Sequence, residues 1–228
     1  MPKTKIKPKF RHKHRRRKRR IRACPPLALI AGAVLLVMAG PRFMSELVRL
    51  PGNYVPQRLE RNVKVSNAAL YKFSSTRRGS LKWTSGGGQW IELGLAQLRR
   101  TERIPDKREY LLRHAVTDLR KGLGMKPANS PAWLWLAEAE FLRGGPTPAV
   151  ARAIEMSIRT APLDRRYFMK RLEISLLSWP QMDLDGRQAV AQQVHIARRK
   201  FPRRLAALVG KSDYQKLVRK ILGDTPIG

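Results

Sequence analysis

Four histidines, one close pair of aspartates and one glycine triplet are the residues of this chain whose types and spacing could do chemistry. His12 and His14 stand among lysines and arginines, where a metal ion would meet a wall of like charge. His114 and His195 each stand alone on a predicted helix beside arginines, so solvated or packing roles are expected of them. Asp183 and Asp185 could act as a general acid and base. They open a predicted helix, however, where carboxylates meet the positive end of the dipole, and capping explains them more simply. Gly86-Gly87-Gly88 precedes a helix and could cradle a phosphate, but no strand leads into it and no lysine follows in register. No H-E-x-x-H, G-x-x-x-x-G-K or G-x-S-x-G sequence occurs. The single cysteine, Cys24, excludes an intramolecular disulfide and a cysteine-based zinc site. The sequence therefore predicts no enzyme, with no catalytic, cofactor-binding or metal site. Five tryptophans could stack on sugars. Trp90 and Trp133 are expected in a core, whereas Trp83, in a loop, and Trp135, off the core-facing stripe, are open to a ligand.

The elements that would position such residues begin with an uncharged apolar run over residues 23–40. As a helix it spans about 27 Å, close to the hydrocarbon thickness of a bilayer. Residues 1–22 hold thirteen lysines and arginines and no acid. Only Arg42, Arg49 and Arg58 follow the run closely, so the N-terminus is expected in the cytoplasm and the bulk of the chain on the other side. A cleaved signal peptide has the same order of parts, and Val37-Met38-Ala39 offers a loose cut. The length of the run, and its continuation through Phe43, Met44, Leu47 and Val48, favour an uncleaved anchor. The tail would suit nucleic acid as well as anionic lipid head groups. The adjoining apolar run favours lipid. With the thirteen tail cations set aside, 35 lysines and arginines still face 16 acids, an excess that favours polyanionic or acidic neighbours.

Five parts follow: a basic tail (1–22), a transmembrane anchor (23–48), a connector (49–88), a helical domain (89–201) and a C-terminal helical cap (202–228). In the connector, Leu59, Val63, Leu70 and Phe73 predict one helix over residues 57–73, and Arg77, Arg78 and the glycine triplet an open loop. From Gln89 onward apolar residues recur at three and four residue steps, broken by Pro105, Pro127, Pro162, Pro180 and Pro202, and strand-like alternation is absent. The predicted caps are Asp106, Asn129 or Ser130, Thr147, Asp164 and Asp183. The fold class is all-α.

The spacing resembles the tetratricopeptide family. Trp90-x-x-Leu93-Gly94 and Trp133-x-x-Leu136-Ala137 have the form of that family's first-helix motif. Ala115, Leu119, Gly122 and Pro127 occupy its second-helix offsets; in the next unit Ala149 falls sixteen residues after Trp133, as the family pattern asks, and Pro162 follows Pro127 by 35 rather than the family's 34. Trp90 and Trp133 lie 43 residues apart, which places a longer loop near residues 101–108. The resemblance implies antiparallel helix pairs, two clear and a degenerate third from Asp164, in which small residues let helices approach. Residues 129–200 further resemble small anchored helical-repeat proteins of proteobacterial cell-surface polysaccharide systems. That likeness implies a bacterial inner-membrane protein with a periplasmic domain and an accessory part in polysaccharide or envelope assembly. The functional expectation is a non-catalytic scaffold that binds a protein partner, with Arg120, Trp135, Arg152, Arg159, Arg165 and Arg166 as candidate contacts. The alternative is a basic nucleic-acid- or ribosome-associated protein.

Overall fold

A computed structural model describes residues 25–60, 63–210 and 214–223. The basic tail, with His12 and His14, and Cys24 lie outside them. Every regular element among the described residues is helical. The chain divides into two units, Met1–Ala39 and Gly40–Gly228.

The first unit carries most of helix α1 (Pro25–Arg49), which is the one described helix long and apolar enough to cross a membrane. Within the first unit its large apolar side chains from Leu29 to Met38 are exposed, Leu36 and Val37 being 75 and 74 % so. A helix satisfies its own backbone hydrogen bonds, so it can present such a surface to lipid.

In the second unit a 3₁₀ turn, Leu50–Gly52, leads into α2 (Tyr54–Glu60), α3 (Asn67–Ser80), α4 (Gly87–Arg100) and α5 (Arg108–Met125). Then come α6 (Ser130–Gly144), α7 (Pro148–Thr160), α8 (Phe168–Leu177), α9 (Leu184–Lys200), α10 (Pro202–Val209) and α11 (Tyr214–Leu222). From α3 to α7 each helix packs on the next. The contacts run antiparallel: Arg120 of α5 meets Glu140 of α6 while Glu109 meets Arg143, and Ser130, first in α6, bonds to Ser157 near the end of α7.

Small residues set the closest approach. A Cβ on Gly94 would lie 2.6 Å from Leu119 Cγ and 3.0 Å from the Ala115 carbonyl, and one on Gly122 would lie 2.6 Å from Ile91 Cγ1. With no side chain at these two positions, α4 and α5 bring their backbones together. Most of the buried apolar residues then gather into two clusters. The larger runs from Ile91 and Leu98 through Leu119, Leu136, Ile154 and Phe168 to Val218. A small one comprises Val55, Val65, Leu70, Phe73 and Ala96.

Three predicted caps form. Asn129 accepts from the Ala132 amide at 3.0 Å, Thr147 from Val150 at 3.4 Å and Asp183 from Gly186 at 2.8 Å. Asp106 instead lies in a 3₁₀ turn, Pro105–Lys107, and α5 starts after it without a side-chain cap. Asp164 closes a local turn on the Arg166 amide, and α8 begins only at Phe168. The single helix expected over residues 57–73 is two helices, α2 and α3, the second capped by Ser66. The open loop expected at Arg77 is also corrected: Arg77 is buried inside α3, and Gly87 and Gly88 form the first turn of α4.

Candidate functional site

The even-numbered helices share a wall. Pro56 and Leu59 of α2, Ile91 and Leu95 of α4, Pro131 and Trp135 of α6 and Lys170 of α8 line one groove of about 790 Å³. Val63, Val65 and Leu70 add to its apolar lining. Trp135, half-buried, meets Tyr167 edge to face, with ring centres 6.1 Å apart. The polar lining is unequal in sign, with Lys64, Arg99, Arg103, Lys126, Arg166 and Lys170 against Glu92, Glu102 and Glu138. All three acids are already engaged. Arg99 holds Glu138 through two 3.3 Å bonds and stands 3.7 Å from Glu102, while Glu92 takes two other arginines from behind the wall. The groove is thus an apolar trough with surplus positive charge, suited to an extended or helical segment bearing acids.

Of the six contacts proposed from sequence, the groove gathers Trp135 and Arg166. The other four lie elsewhere. Arg120 is exposed on α5 and engages Glu140 of α6. Arg152 is exposed on α7, and Arg159 of the same helix pairs with Glu155 at 2.7 Å and Asp185 at 3.5 Å. Arg165 borders a separate cavity beside Phe201 and Pro202. Trp90, expected in the core, is half-buried at the α4–α5 seam, where Lys121 stacks 4.5 Å from its ring centre. Trp133 does pack on the large cluster and donates to the Pro127 carbonyl at 2.7 Å. Trp83 is 47 % exposed.

Two polar nodes support the array, and neither is evident from motifs. Behind the groove, Arg77 donates from Nε to Glu92, from Nη1 to the Arg49 carbonyl at 2.9 Å and from Nη2 to Asn53 Oδ1 at 2.8 Å. Arg49 reaches both oxygens of the same Glu92 at 3.1 Å. Burial pushes the Arg77 guanidinium downward and Glu92 pulls it back. Nearby, Gln89 donates to Ser45 Oγ, and Ser45 donates to the Ser80 carbonyl. These bonds bind the last turns of α1, from residue 40 onward, to α3 and α4.

At the second node Arg171 is fully buried and, among the described residues, bonds to no acid. It donates to the carbonyls of Ser157 (3.1 Å), Ala161 (2.9 Å) and Pro162 (3.0 Å) and to Gln193 Oε1 (3.1 Å). Three of the acceptors are carbonyls at and just past the C-terminal end of α7, where the helix dipole also favours a cation. Burial holds the guanidinium below its ordinary value, with Asp164 acting the other way. The sequence does hold a signal for both nodes. Arg77 continues the stripe Leu70, Phe73, and Arg171 stands between Phe168 and Leu172 on the apolar face.

Asp118 on α5 is 5 % exposed, with Oδ2 buried and unpartnered. Burial raises its carboxyl to about 6 against the pull of Arg78 and Lys121. His114 stacks on Tyr110 at 4.3 Å and His195 is exposed. Among the described residues no three His, Cys, Asp or Glu come together as metal ligands would.

The fold is an all-helical body behind one N-terminal helix of membrane-spanning length and apolarity. Comparisons with protein-family models, curated proteins and solved structures found no match.

Proposed function

We propose that this chain is a non-catalytic, single-pass membrane scaffold whose groove holds an acidic segment of a protein partner. The observation that carries the reading is the groove itself, with Trp135 and six cations against three acids in its lining. Helices of alternate rank line it, as in tetratricopeptide-like arrays, where α4–α5 and α6–α7 would be the two clear pairs. Anionic lipid head groups would hold the tail, residues 1–22. The proposed setting is a bacterial inner membrane, with the N-terminus cytoplasmic and the domain periplasmic, serving polysaccharide or envelope assembly.

A photo-crosslinking residue at Trp135, compared with one at Arg152 outside the groove, tests the site in intact membranes. A discrete protein adduct from position 135 alone supports it, and adducts of equal yield from both positions refute it. A reporter fused after Gly52 tests orientation, which cytoplasmic activity would overturn.

The net charge of +32 favours a second reading, a nucleic-acid- or ribosome-associated protein. Separate deletions of residues 1–22 and 23–48 discriminate the two. Loss of membrane sedimentation on the second deletion only supports the scaffold, whereas RNA as the sole species recovered with the chain supports the alternative.

A further inference from the structure

A second concavity lies outside the groove, where α9 hands over to α10. It measures about 520 Å³ and is lined by Arg165, Lys200, Phe201, Pro202, Arg203 and Arg204. Four of these six are cations and none is an acid. No ion pair engages any of the four among the described residues. Arg165 comes from the α7–α8 connection and the others from the joint between α9 and α10, so the fold brings together charges distant in sequence. The apolar base is fixed: Phe201 packs on buried Phe168 with ring centres 5.2 Å apart. Four like charges around one hollow repel one another, and a bound anion removes that repulsion.

We infer that this hollow is a binding site for a diphosphate group. Three guanidiniums offer planar two-donor forks that match phosphate oxygens, and a lysine adds a point charge. The volume is that of a small-ligand site, typically about 300–1,000 Å³, and a single phosphate would leave most of it empty. Two linked phosphates place anionic oxygens against both the Arg165 side and the Arg203–Arg204 side. Phe201 and Pro202 are left to meet the apolar or sugar portion of the ester.

The test is calorimetric titration of the full chain, in non-ionic detergent, with inorganic pyrophosphate and with orthophosphate. Pyrophosphate should saturate one site and bind about tenfold more tightly than orthophosphate. The double variant Arg203→Ala, Arg204→Ala should weaken pyrophosphate about tenfold or more, while Arg15→Ala, Arg16→Ala in the tail leaves it unchanged. Equal affinity for the two anions, or loss on changing the tail instead, overturns the site. Competition identifies the source of the diphosphate. Displacement by ADP points to a soluble nucleotide, and displacement only by phosphatidylcholine vesicles carrying a polyprenyl diphosphate points to a lipid-borne one. A single-stranded oligonucleotide that displaces pyrophosphate and still binds the double variant with full affinity refutes the proposal in favour of nonspecific polyanion binding.

Discussion

Replacing Arg171 by methionine sets two effects against each other. Buried ion pairs are often no better than well-packed apolar residues, because desolvating the charge consumes the attraction. On that ground Arg171→Met would be neutral or stabilising. At this site, though, the partners are backbone carbonyls at the end of α7 and Gln193, which stay buried after the change. Four bonds of 3.1 Å or less from a charged donor disappear, with a longer one to Ser130 Oγ at 3.5 Å; the four contribute roughly 1.5–3 kcal/mol each, and the removed desolvation of the cation offsets more than half of that sum. The carbonyls keep other donors, the Asp164 amide on Ala161 at 3.3 Å, Ser130 Oγ on Ser157 at 2.8 Å and Gln193 Nε2 on Pro162 at 3.0 Å, but Gln193 Oε1 loses the donor it has. A net loss of about 2–4 kcal/mol follows. With a urea slope of about 2 kcal/mol per molar, the midpoint falls by about 1–2 M. Arg171→Lys keeps the charge without the fork and should lose about half as much. The assay is urea unfolding of the full chain in detergent, followed by tryptophan fluorescence. A midpoint for Arg171→Met at or above that of the native chain refutes the reasoning, because the carbonyl cage would then contribute nothing beyond the volume of the side chain.

Gly94→Ala gains helix propensity but drives a methyl into Leu119 and the Ala115 carbonyl, so thermal unfolding should show a net loss of about 1–3 kcal/mol. Glu92→Gln leaves Arg49 and Arg77 facing each other and should destabilise by about 2–4 kcal/mol, whereas Glu46→Gln, on an exposed partner of Arg49, should change stability by less than about 0.5 kcal/mol. Equal effects in denaturant titrations would contradict this. The folded-state value of Asp118, about 6, lies above its ordinary 3.8, so the native chain holds the proton more tightly than the unfolded one. Its contribution is therefore present below 3.8 and is lost as pH rises through 6. Asp118→Asn should raise stability at pH 7 by about 1–2 kcal/mol, after allowance for solvent screening, and flatten the decline between about pH 4 and 6, measured as melting temperature against pH.

Where one side-chain pattern decided the outcome, the sequence was readable. Proline and glycine punctuation separated α5, α6 and α7, and Asn129, Thr147 and Asp183 cap where a side-chain oxygen precedes an apolar stripe. The connector was misread because polar residues in it point inward: Arg77, Ser74 and Ser80 are buried. A rule that places charge outside turns that stretch into a loop. The glycine triplet looked like a breaker, but Gly87 sits where a Cβ would meet the Gly122 carbonyl at 2.9 Å, so its smallness serves packing within a helix. The groove lay beyond reach for a different reason. Its wall is assembled from alternate helices, and periodicity along one helix marks the apolar face without saying which neighbour covers it. Trp135 falls off the core-facing stripe of its own helix and lines the trough, whereas four of the five arginines proposed on charge alone do not.

The small cluster of Val55, Val65, Leu70, Phe73 and Ala96 holds one bank of that trough. The opposite bank, with Trp135, is continuous with the large apolar interior. The two sides therefore differ in the apolar packing behind them: Leu59 and Val65 rest on the small cluster alone, and amide exchange should be faster there than along α6. A guest too bulky for the resting width would be accommodated by yielding on the α2 side, with α6 acting as the unmoving jaw.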